Sequence, residues 1–231
     1  MTLLRIVDLE TTGLPPDASI VEIGWCDVTD GVVGEQGSML VNPKRPISIE
    51  AMAVHHIRDH EVADAPPIDL GFRRLMEGKP AVFVAHNAAF EQEFFAGGET
   101  PWICTLKVAR RLWPDAPRHT NSVLRYYLEL DLDDERAMPP HRAAPDAYVT
   151  AHILAQALRL ASIEDMIKWT SRPSLLPRCT FGQHSGKTWD EVPTSYLAWM
   201  ASNEGMDADK RYTARHHLKL RGAGTQNRRA S

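Results

Sequence analysis

The residues Leu3 to Leu9 form a short apolar run rich in branched side chains, the composition of a buried strand, yet the run carries Asp8 and is followed at once by Glu10. Side chains two apart on a strand share a face, so the two carboxylates project together. Ionised acids side by side repel each other and resist leaving water. Two readings are open: solvated charges or caps at a strand end, or a carboxylate pair that holds a divalent cation. A hard cation such as Mg²⁺ takes oxygen ligands and removes the objection to burial. The next residues, Thr11-Thr12-Gly13-Leu14, favour the cation, because a sharp polar turn leaving the sheet lets backbone groups approach a ligand.

Two further blocks carry acids at informative places. In Val84-Ala85-His86-Asn87-Ala88-Ala89-Phe90-Glu91, His86 and Asn87 sit at a strand-to-helix junction. Glu91 lies one helical turn after Asn87 on the same face, whereas Glu93 points away. In His141-Arg142-Ala143-Ala144-Pro145-Asp146, the histidine precedes a long helix and Asp146 lies near its start. A helix N-terminus favours both a carboxylate and a phosphate.

The pattern between these blocks predicts an α/β fold. Ile20 to Val28 and Val32 to Val41 read as strands joined by the turn Asp30-Gly31. Ser48 to His56 reads as a helix capped by Ser48. Strands at Pro80 to Ala85 and Trp102 to Thr105 are each followed by a helix, Asn87 to about Phe95 and Leu106 to Leu112. Helices at Asn121 to Leu128 and Ala147 to Leu160 flank an acidic loop, Asp131 to Arg136. A hairpin first, then strands alternating with helices, gives a mixed five-stranded sheet flanked by helices. The expected organisation is a main domain over 1–168, a polar, proline-bearing linker over 169–180, a small appendage over 181–220 and a disordered basic tail over 221–231.

Composition excludes several alternatives. The chain has 231 residues, 43% hydrophobic and 24% charged, as in ordinary globular proteins. Arg5, Asp8 and Glu10 interrupt the N-terminus before a signal peptide could form, and no run approaches the ~20 apolar residues of a membrane span. Cys26, Cys104 and Cys179 are odd in number and far apart, which argues against a disulfide framework and fits a cytoplasmic location. The net charge of −4 is unevenly spread: residues 1–170 hold 16 Lys/Arg against 25 Asp/Glu, and residues 171–231 hold 10 against 5. Bound divalent cations would offset the acidity of the first part, so a polyanionic substrate is not excluded.

Taken in order, the three blocks resemble the exonuclease motifs of the DEDD superfamily of 3′→5′ exonucleases, in the histidine-bearing branch marked by His-x₄-Asp, and within it the bacterial exonuclease X group. The resemblance extends through Pro46-Ile47-Ser48, Ala51 to His55, Trp102 to Thr105, Ala109 to Pro114 and Gly182 to Lys187. It implies an RNase H-like fold and a two-metal site, with Mg²⁺ or Mn²⁺ ions ~3.5–4 Å apart. On this resemblance Asp8, Glu10 and Asp146 hold one ion. Asp8 bridges to the second, Glu91 lies on its far side, directly or through water, and His141 is the general base. The family usually has aspartate where this chain has Glu91, and the added methylene moves the carboxylate outward by ~1.5 Å. Thr11, Thr12 and Gly13 resemble the turn that grips the terminal nucleotide, with Leu14 to stack on its base. His55 and Asn87 are expected sugar or phosphate contacts, and Arg142 a partner of the scissile phosphate.

The implied activity is removal of nucleoside 5′-monophosphates from single-stranded or duplex DNA 3′ ends. The alternatives are an exoribonuclease of the same fold, or a nucleic-acid-binding module weakened in catalysis. The C-terminal segment could tether a repair or polymerase partner. Trp102, Trp113, Trp169, Trp189 and Trp199 read as core or docking residues rather than stacking platforms.

Overall fold

Asp30 and Gly31 both adopt positive φ, 51° and 82°, the backbone that a two-residue hairpin turn demands. They join the second and third of five strands in a computed structural model that describes residues 1–227, with side chains to 222. The chain divides into two units, one of Met1–Val108 with Ala116–Thr170, the other of Ala109–Asp115 with the residues from Ser171 onward.

The first unit is built on β1 (Leu3–Thr11), β2 (Ile20–Thr29) and β3 (Val32–Leu40), then α1 (Ile49–His55), α2 (Asp59–Val62) and α3 (Ile68–Met76). It continues with β4 (Val82–Ala85), α4 (Ala88–Phe94), β5 (Trp102–Cys104) and α5 (Thr105–Leu112), whose end counts with the second unit. α6 (Asn121–Tyr127), α7 (Asp134–Ala137), α8 (Ala143–Leu158) and α9 (Ile163–Thr170) complete it. The strand order is β3-β2-β1-β4-β5, with antiparallel pairing around β2 and parallel pairing from β1 through β5. The expected mixed five-stranded sheet is therefore the observed one.

Alternation along β1 sends its two sets of side chains to different neighbours. Val7 and Leu9 join Ile23, Trp25, Leu75, Phe83 and Trp102 in a core on the α3 face. Arg5 is buried on that face too, where it pairs with Asp27 and its Nη1 donates to the carbonyls of Arg74, Leu75 and Glu77. A guanidinium thus caps the end of α3, where orphan carbonyls and the negative end of the helix dipole lie. Leu4, Ile6, Asp8 and Glu10 occupy the opposite face, beneath α8. Asp8 is in register with Gly24 of β2. A Cβ on Gly24 would lie 2.1 Å from the Ala143 carbonyl carbon, so the start of α8 rests directly on the sheet.

Four departures from the sequence-based expectation have local causes. α8 begins at Ala143 rather than Ala147, because Pro145 sits in the first turn, where its missing N–H costs no hydrogen bond. α3 was not expected: Gly71 interrupts its pattern, and that glycine is needed because a Cβ there would lie 2.3 Å from Ile23 Cδ1. α9 carries helix to Thr170, where a linker was expected. Thr170 Oγ1 accepts from the Cys104 amide and donates to the Met166 carbonyl. The fourth concerns the C-terminal end of the chain.

In the second unit, α10 (Thr194–Ser202) and α11 (Ala208–Asn227) pack with two short 3-10 turns around Leu176, Cys179, Trp189, Val192, Leu197, Met200 and Ala214. Asp209 gathers Arg110, the Ser174 amide and the Ser174 hydroxyl, so residues placed in a linker are tied down. The tail expected to be disordered from 221 begins inside α11, and Arg221 donates to the carbonyls of Trp189 and Val192 and to Thr194 Oγ1. Its last part, 228–231, lies outside the described residues. All three cysteines are buried and free, and no helix among the described residues is long and apolar enough to cross a membrane.

Backbone, not a yielding side-chain tip, fills the space beside Gly24. Gly24→Ala is therefore expected to cost about 1–3 kcal/mol, as overpacked cores do. The measurement is the midpoint of urea unfolding, and a wild-type midpoint would show that α8 does not bear on β2 at this point.

Candidate metal centre

Strand parity and the start of α8 bring three acids together. Oxygens of Asp8, Glu10 and Asp146 all lie within 4.8 Å of one another, and each residue is half-buried. Asp146 lies in the first turn of α8, where the positive end of the helix dipole favours a carboxylate. Its Oδ2 accepts from the backbone N–H of His141 at 2.9 Å. His141 is exposed, has φ of 61°, and meets the group through its backbone bond to Asp146.

Glu91, in the first turn of α4, is the fourth acid. It is only 4% exposed, and its Oε2 is buried with no hydrogen-bond partner. Such an oxygen costs free energy unless something electropositive faces it. Burial, with the charge of Glu10 adding, pushes Glu91 up to about 8. Burial, with Asp146 and Glu22, pushes Glu10 to about 8, against an opposing pull from Arg142. Asp8 is raised well above its ordinary value by burial first, then by Asp146, Glu10 and Glu91. Asp146 is raised by burial too, though its hydrogen bond from His141 works the other way. These acids resist ionisation as a group, and a divalent cation reverses that resistance. A donor set made wholly of carboxylate oxygens, one of them an orphan, fits a hard cation.

Glu22 is the functional neighbour that the sequence reading missed. It faces Glu10 across the β1–β2 ladder and is almost completely buried. Arg142 donates to both of its oxygens, Nε to Oε2 and Nη2 to Oε1, each at 2.9 Å, and the Ala143 amide adds a third bond at 3.1 Å. Burial alone would raise this carboxyl, but the bonds from Arg142 and Ala143 outweigh it and hold it below the usual glutamate range. Strand parity could have revealed it: an acid inside Ile20-Val21-Glu22-Ile23 poses the same burial problem as Asp8.

The expected substrate contacts fall into two groups. Arg142, read as a phosphate partner, is engaged by Glu22 and serves to seat α8. His55, read as a sugar or phosphate contact, is buried: the Ile57 amide donates to its Nδ1 at 3.0 Å, so Nε2 carries the proton and donates to the Thr11 carbonyl at 3.2 Å. Thr11 Oγ1 donates to the Gly13 carbonyl, and Thr12 Oγ1 accepts from the Ser19 amide. The Thr12 carbonyl accepts from the Ser48 amide, so the threonine side chains shape the turn rather than stand open. Leu14 is 80% exposed, and Asn87 is exposed at the start of α4 with φ of 85°.

Glu10 and Glu91 keep their protons in the metal-free fold until about pH 8, whereas an unfolded glutamate loses its proton near 4.5. Between those values the fold binds more protons than the unfolded chain, so raising the pH removes stability. In EDTA the melting temperature is expected to fall from pH 6.5 to pH 8, and Glu91→Gln to flatten that slope. Manganese is expected to raise the melting temperature more at pH 8 than at pH 6.5. Calorimetry across this window decides the matter; a metal-free Tm that climbs with pH would refute the cage.

Comparison with known proteins agrees with this geometry. Residues 6–154 match the family described as Exonuclease. The chain is 38% identical over 223 residues to Exodeoxyribonuclease 10 of Escherichia coli strain K12, covering 94% of this chain and 99% of that protein. The structure of exonuclease X in complex with 5′ overhanging duplex DNA superposes with a TM-score of 0.64 at 39% identity, covering 72% of this chain and 99% of that one. The nuclease domain of 3′hExo, a DEDDh family member bound to rAMP, shares the fold, with a TM-score of 0.56 at 16% identity over 68% of this chain and 92% of that one. On the family match and on an identity that spans both chains almost completely, this chain belongs to the exonuclease family.

Proposed function

We propose that the chain is a metal-dependent 3′→5′ exonuclease that releases nucleoside 5′-monophosphates from DNA ends. The observation that carries this reading is the meeting of Asp8, Glu10 and Asp146, with the orphan Glu91 oxygen within electrostatic reach of Asp8 and the His141 backbone bonded to Asp146. The relative named an exodeoxyribonuclease and the neighbour bound to duplex DNA support DNA as the substrate.

Asp8, Glu10 and Asp146 would hold one Mg²⁺ or Mn²⁺, with Asp8 and Glu91 toward a second. Bound there, the cations lower the pKa of water and polarise the phosphoryl oxygen. The residues of the chain do the rest. His141, exposed beside Asp146, takes the proton of the attacking water, a task suited to an imidazole near neutral pH. The water oxygen bonds to phosphorus as the bond to the 3′ oxygen of the preceding nucleotide breaks, so the released nucleotide keeps its 5′-phosphate. Leu14 offers an apolar surface to the terminal base, and the pinned turn of Thr11 to Gly13 holds that leucine in place. Asn87 meets the sugar or phosphate at the start of α4. Glu91 has a longer reach than the usual aspartate, and Glu91→Asp is expected to change the ratio of Mg²⁺-supported to Mn²⁺-supported rates.

Labelled single-stranded, duplex and RNA oligonucleotides, incubated with Mg²⁺, Mn²⁺ or EDTA, test the proposal. Stepwise loss from the 3′ end of DNA is expected, abolished by EDTA; preferential loss from RNA would make the chain an exoribonuclease, and binding without cutting would make it a binding module. Asp146→Ala is expected to be inert. His141→Ala should slow turnover by about 10²–10⁴-fold, the usual worth of a general base. That variant should keep its manganese-dependent rise in melting temperature. Wild-type turnover in Asp146→Ala would defeat the assignment.

A further inference from the structure

The second unit carries a row of aromatic rings that runs from the edge of its core, where Phe181 and Tyr196 are partly buried, out to the exposed Trp199. Trp189 is 3% exposed and its indole N–H donates to the Leu176 carbonyl, as expected of a core tryptophan. Trp199 is different: it is 48% exposed and lies outside the buried cluster of the unit. It stands one turn along α10 from Tyr196, with ring centroids 5.1 Å apart and planes at 45°. Tyr196 in turn lies 6.2 Å from Phe181, at 35°.

Other features hold this row together and give it charge. Gly182 has φ of 62°, and a Cβ on it would lie 2.6 Å from the Tyr196 hydroxyl, so the turn closes directly on that ring. His184 meets Tyr196 edge-on at 4.6 Å, and its buried Nδ1 has no partner. The Lys210 ammonium sits 4.6 Å from the Phe181 ring centroid. Arg178 and Lys187 are exposed on the turn that carries Phe181 and Gly182, and no acid interrupts the sequence between them.

We propose that Phe181, Tyr196 and Trp199, with Lys210, form a second nucleic-acid site that holds an unpaired strand by stacking its bases while the cations meet its phosphates. Every base has a π face, so a row of rings takes successive bases regardless of sequence, and lysines beside it follow the backbone. An acidic peptide would satisfy the cations but leave the rings unmatched. The excess of cations over acids in residues 171–231 complements a polyanion, whereas the acidic first unit repels one until it is loaded with metal. The choice of DNA rests on the exonuclease reading given above. The stacking site stands apart from that reading, because unpaired bases of either sugar present the same faces.

The test uses the full chain in EDTA, with a labelled oligothymidylate of about twenty nucleotides, long enough to span one such site. Fluorescence anisotropy is expected to show binding that Trp199→Ala weakens about tenfold, within the usual loss for one stacked base. Trp199→Tyr, which keeps a ring, should bind close to wild type. Lys210→Ala should reduce the steepness of the salt dependence by about 0.7, the share of one phosphate contact on a single strand. In parallel, hydrolysis of the 4-nitrophenyl ester of thymidine 5′-monophosphate with Mn²⁺ reads the carboxylate site alone and should be unchanged in all three variants. The proposal is overturned if wild type fails to bind the oligonucleotide, if Trp199→Ala binds as wild type does, or if polyglutamate displaces the strand as well as unlabelled DNA does. If wild type binds as described but cannot hydrolyse the ester, the catalytic reading fails and the stacking site remains.

Discussion

The start of α8 touches β2 backbone to backbone, and the placement of the carboxylates depends on that contact. Gly24 provides the space, and the Glu22 carboxylate provides the hold by accepting from Arg142 and from the Ala143 amide. Asp146, three residues further along α8, is thereby carried over Asp8 and Glu10. A helix N-terminus seated this closely also brings its positive dipole end to the acids. Glu22 can lie beneath three other carboxylates only because Arg142 neutralises it. Its charge still reaches Asp8, Glu10 and Asp146 and makes each harder to ionise.

A second set of contacts keeps the turn after β1 in shape. His55, Ser19 and Ser48 each bond to Thr11 or Thr12, and α1 with its cap Ser48 delivers two of those three. Leu14 is left outside this bonding, exposed on a rigid base. Residues near the centre therefore divide their work. Those with buried side chains build the platform, and those at its edge, Leu14, Asn87 and His141, are free to meet a ligand.

The meeting of Asp8, Glu10 and Asp146, and the place of Glu91 in the first turn of its helix, were legible in the sequence because their cues are local. Strand parity links Asp8 to Glu10, one helical turn links Asn87 to Glu91, and a helix start places Asp146. The hairpin at Asp30-Gly31 and the cap at Ser48 were legible for the same reason. What escaped depends on contacts between distant segments. Arg142 reads as a free cation until Glu22, 120 residues away, is seen to hold it. His55 reads as a ligand contact until both ring nitrogens are seen to be engaged. The helix α3 is obscured by Gly71, whose reason is the Ile23 side chain beneath it. α11 carries His216, His217 and Lys219 in its middle, with too weak an apolar stripe to announce a helix of 20 residues.

The His55 tautomer adds an acid-side counterpart to the behaviour of the carboxylates. Its Nδ1 must remain bare to accept from Ile57, and burial holds the ring below the ordinary histidine value of about 6.5. As acidity increases past that value, the unfolded chain takes up a proton that the native ring refuses, and the fold loses ground. On the alkaline side the crowded acids pull in the opposite sense. In the empty protein the two effects oppose each other across the mildly acidic range, and above it only the carboxylate effect remains. Cations held by the carboxylates would act on that second effect and leave the His55 effect as it is.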